Sequence, residues 1–70
     1  MRRSYKMAVN VIVSKIEEEI HFAKKHRDNV EDRTAAIHSI MSLYDVLVEL
    51  GEFDSSYEKT CECIDRIWKD

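Results

Sequence analysis

Cys61 and Cys63 are the residues of this 70-residue chain whose type and spacing come nearest to metal or redox chemistry. Two positions along a helix turn the side chain through about 200°, so both thiolates reach one ion only if that turn unwinds. A Cys-x-Cys alone also lacks the four ligands of a structural zinc site. Cys61 shares a stripe with Tyr57, Ile64 and Trp68 and reads as a small buried group, whereas Cys63 reads as an accessible flank residue. A site shared across a dimer is the remaining way to use the pair.

Glu18 and His21 have the Glu-x-x-His spacing of carboxylate-bridged metal sites in helical bundles, which need two such motifs and two further inward glutamates. One copy is present, and both side chains project about 150° away from the apolar stripe of their own segment, so a solvated face is expected. His38 lies on a polar stripe with Glu31 and Asp45, each two helical turns away and too far for a triad. No glycine-rich loop exists to cradle phosphate, and no serine sits in a nucleophile-elbow context. The expectation is therefore a protein without catalytic, cofactor-binding or metal-ligating residues.

The elements that position these side chains follow from one glycine, Gly51, and no proline. Almost the whole chain is free to be helix, and the obvious stop falls between two apolar-periodic runs. Tyr5, Val9, Ile12, Ile16, Ile20 and Ala23 form an i, i+3, i+4 stripe that predicts a first helix over about 4–26. A thinner apolar line, Met7, Val11 and Phe22, lies well round the same cylinder. Ala36, Ile37, Ile40, Leu43, Tyr44, Leu47, Val48 and Leu50 make a second helix over about 30–50, apolar on more than half its circumference and so expected at the centre, flanked on two sides. The two stripes differ in phase by about 110° when the period is carried through, which one regular helix cannot present to one partner. A turn is therefore placed at 27–32, with Asn29 as an N-cap or a left-handed cap.

Gly51 suits the position just after the second helix, where positive φ carries no steric penalty for glycine. Ser55 and Glu58 have capping-box spacing, predicting a third helix over about 55–69. Its expected inward stripe is Tyr57, Cys61, Ile64 and Trp68. Its outer side carries the acid-first pairs Glu62/Arg66 and Asp65/Lys69. The fold class is all-α, a three-helix bundle or a helical hairpin plus a third helix, in one domain over 1–70.

Two resemblances rest on these residues. The run from Ile40 to Ile64, with Leu43, Leu47, Gly51, Phe53, Ser56 and Cys63, resembles the helix-turn-helix of a single tetratricopeptide repeat, although Tyr44 stands where that repeat takes a small residue. It implies an αα-hairpin and nothing further. The run from Val11 to Glu49, with Lys15-Ile16-Glu17, Ala23-Lys24 and Leu43-Tyr44-Asp45, resembles small uncharacterised helical proteins of Gram-positive bacteria, which implies an intracellular bacterial protein.

Composition limits the function classes. The 44% apolar fraction opposes disorder, and the 36% charged fraction implies wet outer faces. The apolar stretch after the basic start Arg2, Arg3 and Lys6 is broken by Asn10 and Ser14-Lys15, too short for a secretory signal or a membrane span. Two cysteines are no disulfide framework, so a cytoplasmic location is expected. Residues 1–35 carry eight Lys/Arg against six Asp/Glu, and residues 36–70 carry three against eight. An acidic chain with so small a basic cluster (Lys24, Lys25, His26, Arg27) is a poor candidate for binding nucleic acid.

The leading expectation is a non-enzymatic protein-interaction module that regulates or inhibits another protein and forms a homodimer, because the chain is short for the apolar surface it carries. The candidate surface comprises Met7, Val11, Phe22, Val46, Leu50 and Trp68. A Cys/His metal- or redox-responsive sensor is the first alternative. A small DNA-binding regulator with Arg2, Arg3 and Lys6 as a basic arm is the second.

Overall fold

A helix starts where its first orphan N–H groups find acceptors, and the two internal starts in this chain do so with side chains three positions upstream. In the computed structural model, which describes residues 2–70 with side chains from Ser4 onward, three helices follow in order: α1 (Arg2–Lys25), α2 (Val30–Glu49) and α3 (Ser56–Trp68). Asn29 N-caps α2 with extended backbone, its side-chain oxygen accepting from the Asp32 N–H. Glu31 and Asp32 in the first turn add favourable charge to that positive helix end. Ser55 caps α3 in the same way, accepting from the Glu58 N–H.

The end of α2 is set by backbone geometry. Gly51 has φ +83°, its N–H bonds to the Val48 carbonyl, and the Glu52 N–H reaches back to the Leu47 carbonyl. This is the Schellman arrangement, which satisfies two orphan carbonyls and needs a left-handed residue at the glycine position. A Cβ at Gly51 would meet no atom within 4 Å, so side chains are excluded there by backbone conformation alone.

The helices run up, down and up, every pair in contact, in a body 42 × 20 × 19 Å. The core is a single cluster: Ile16, Ile20 and Ala23 from α1, Ala36, Ile40 and Leu47 from α2, and Cys63 and Ile67 from α3. Val9, Ile12, Ile37, Leu43, Tyr44 and Phe53 pack around it. The α1 and α2 stripes thus face inward as their periodicity predicts, except at two residues that meet at one end of the bundle: Tyr5 at the start of α1 is 40% exposed and Leu50 at the end of α2 is 41% exposed, the Tyr5 hydroxyl bonding to the Leu50 carbonyl.

The inward face of α3 differs from the sequence expectation. Thr60, Cys63 and Ile67 are buried, Cys61 and Ile64 are half-buried, and Tyr57 and Trp68 stand exposed. The helix is rotated by about a quarter turn from the predicted stripe. Large aromatics at 57 and 68 dominate a hydropathy reading, whereas the true stripe is made of a threonine, a cysteine and one isoleucine. The roles of the two cysteines are exchanged accordingly: Cys63 is the buried one. Nor do Glu62/Arg66 and Asp65/Lys69 pair along α3. Arg66 turns to Glu17 of α1 with two bonds of 3.0 and 2.8 Å, and Glu62 meets Lys59 at 3.5 Å.

Leu47, fully buried in the central helix, and Thr60, buried with an Oγ1 that finds no hydrogen-bond partner among the described residues, make opposite predictions. Leu47→Ala is expected to cost about 2–5 kcal/mol through transfer and cavity terms. Thr60→Val, which replaces an unsatisfied hydroxyl by a methyl of similar shape, is expected to gain about 1 kcal/mol. Chemical denaturation of the two variants beside the wild type checks both signs.

Candidate interaction surface

The residues with chemistry in their side chains do not converge. Glu18 and His21 are exposed on α1, His38 is exposed on α2, and Cys63 is buried while Cys61 sits half-exposed two positions away in sequence. Among the described residues, no group of three or more His, Cys, Asp or Glu side chains stands close enough to hold a metal ion. The Cys63 thiol donates weakly to the Tyr44 hydroxyl at 3.9 Å. Burial raises the Cys63 thiol above its ordinary pKa and, with the neighbouring thiol and carboxylates adding to it, pushes Tyr44 up to about 12. A thiol kept protonated is a poor nucleophile and a poor ligand.

The exposed apolar side chains are more informative. Met7 and Val11 are each 60% exposed, Phe22 42%, Val46 45%, Leu50 41% and Trp68 50%. Met7, Val11 and Phe22 share the outer side of α1, roughly opposite Ile16, Ile20 and Ala23. The Phe22 ring stacks on His26 at 4.3 Å between centroids, which holds it on that outer side. Val46 and Leu50 lie near the carboxyl end of α2. Tyr5 ties the first turns of α1 to this end, its hydroxyl shared between the Leu50 carbonyl at 3.1 Å and a Glu52 carboxylate oxygen at 2.6 Å.

Trp68 is engaged within the chain. Its ring carries the Arg33 guanidinium 5.1 Å from the centroid and that of Arg27 at 5.8 Å. Arg27 donates to the Ile67 carbonyl at 3.0 Å and to the Asp70 carboxylate at 2.5 Å, and Arg33 donates to the Arg27 carbonyl. A cation at a helix carboxyl terminus satisfies orphan carbonyls and opposes the dipole, so this cluster fastens the last turn of α3 to the α1–α2 connection. The sequence hinted at it only through Arg27, counted there in the small basic cluster with Lys24, Lys25 and His26.

Two open clefts flank α1. One, of about 530 Å³, is lined by Tyr5, Lys6, Val9, Asn10 and Glu52; the other, of about 380 Å³, by Glu17, Ile20, His21, Lys24 and Arg66. Neither gathers a nucleophile with a base and a set of oxyanion donors. The side chains of Arg2 and Arg3, the expected basic arm, lie outside the described residues. No described helix is long and apolar enough to cross a membrane. No protein family, characterised protein or solved structure was found to match the chain.

The raised pKa values of Tyr44 and Cys63 fix the sign of the alkaline response. Each group contributes its stability in full below its unfolded pKa. That contribution is lost as pH rises from about 9 for the thiol, and from about 10 toward 12 for the phenol, because only the unfolded chain then releases the proton. Tyr44→Phe should flatten the fall in stability between pH 10 and 12. Denaturation midpoints measured across that range, variant against wild type, check it.

Proposed function

We propose that the chain is a small non-enzymatic helical interaction module that self-associates and regulates or inhibits another protein. The observation that carries this reading is the exposure of Met7, Val11 and Phe22 along one side of α1, with Val46 and Leu50 on α2, in a protein whose buried apolar core numbers only eight described residues. A core of that size leaves little stability in reserve, and small domains commonly add it through a partner subunit. Apolar side chains exposed together on one helix face are where a protein partner would gain most by covering them. Free Cys61 and Cys63 suit a reducing, cytoplasmic setting.

The test is sedimentation equilibrium on the wild type and on Val11→Glu. The wild type is expected to show a reversible dimer. Val11→Glu is expected to lose association sharply while keeping its helical circular dichroism, since it places a charge against apolar groups of the partner without touching the core. A wild type that stays monomeric throughout, or a Val11→Glu variant that associates undiminished, removes the basis of the proposal.

A further inference from the structure

Self-association through a two-fold axis demands that a surface be complementary to itself, because each contact is made twice with the roles exchanged. The outer side of α1 meets that demand. Val11, Lys15, Glu18 and Phe22 follow one another at spacings of four, three and four, which keeps them on one helical seam. All four are open to solvent: Val11 and Phe22 as given above, and the Lys15 and Glu18 side chains at 62% and 72%. Val11 and Phe22 are equidistant from the midpoint between Ile16 and Glu17, and so are Lys15 and Glu18. The seam therefore reads apolar, base, acid, apolar in one direction, and apolar, acid, base, apolar in the other.

We propose that α1 docks antiparallel against α1 of a second copy about a two-fold axis at the level of Ile16 and Glu17. In that arrangement Val11 faces Phe22 of the second copy at both ends, and Lys15 faces Glu18 of the second copy twice in the middle. Ala8 and Lys25 continue the same register, with the lysine stem lying over the alanine. The apolar pairs, separated along the axis by about 16 Å, supply the attraction. The central charges select direction and register. A parallel pairing would set Lys15 on Lys15 and Glu18 on Glu18, and like charges held together are repulsive. Within one chain Lys15 and Glu18 approach only to 4.0 Å, so pairing across the axis breaks no strong bond. No comparable self-complementary order exists for Val46 and Leu50, which stand as a pair on α2.

This inference rests on the self-association reading, and charge exchange separates the two. Lys15→Glu and Glu18→Lys each replace both central attractions by repulsions and are expected to weaken their own homodimers about tenfold or more. The first variant carries acids at both central positions of the seam and the second carries bases at both, so mixing the two restores an attraction at each crossing. That mixture is expected to form a heterodimer within about threefold of wild-type affinity, measured by sedimentation or by titrating one variant into the other. An effect confined to each chain's own helix cannot produce that recovery. A wild-type dimer whose affinity is unmoved by either reversal, or single variants that fail to recover on mixing, overturns the α1 seam and leaves self-association through another face. A monomeric wild type overturns both.

Discussion

The burial of one stripe of α2 is the constraint on which the rest of this molecule depends. Ala36, Ile40 and Leu47 are essentially inaccessible, and around them α2 spreads Ile37, Leu43 and Tyr44 onto both flanks. A helix apolar over more than half its circumference cannot lie against one neighbour alone, so α1 and α3 must cover it from two sides. The small side chains Ala23 and Ala36 take part in that core, fully buried or nearly so. The caps at Asn29, Gly51 and Ser55 then have one task, which is to stop and restart the chain where the two flanking helices can reach the central one.

What α3 lacks in apolar area it makes up in polar fastening. It offers Cys63 and Ile67 to the core, with Thr60 buried beside them, and isolated helices of its length are marginal in water. Arg66 forms a two-pronged pair with Glu17, holding that carboxyl below its usual pKa range, and Arg27 binds both the Ile67 carbonyl and Asp70. These groups are partly exposed, so each contact is worth little alone. Their geometric effect is larger: they fix the rotation of α3 and draw Trp68 under two guanidinium groups instead of into the core.

That division explains which parts of the fold were legible in the sequence. The faces of α1 and α2 could be read because their apolar periodicity is strong and their caps are local signals, Asn29 and Ser55 three positions from the N–H groups they accept from and Gly51 three positions from the Val48 carbonyl its N–H satisfies. The rotation of α3 could not. Its buried stripe contains residues of weak hydropathy, and the contacts that orient it join positions 40 to 49 apart, which no periodicity reports. Tyr5 is the same case on α1, leaving the expected core because Leu50 and Glu52 accept its hydroxyl. In the candidate surface, Met7, Val11 and Phe22 could be placed outside the core because α1 carries its core on a separate stripe. That Trp68 is occupied within the chain could not be seen, since Arg27 and Arg33 approach it only in the folded state.

The proposed dimer would cover the open face of α1 with a second copy and so add to a small core, and thermal stability measured against protein concentration tests that link most directly. A chain stabilised by its own dimer melts at a temperature that climbs by about 3 °C or more for each tenfold increase in concentration across the association range. That climb is the predicted result. A melting temperature that stays constant over a hundredfold range spanning micromolar to millimolar chain would contradict the proposed dimer, because the fold would then stand complete on a single chain whose described residues bury only eight apolar side chains.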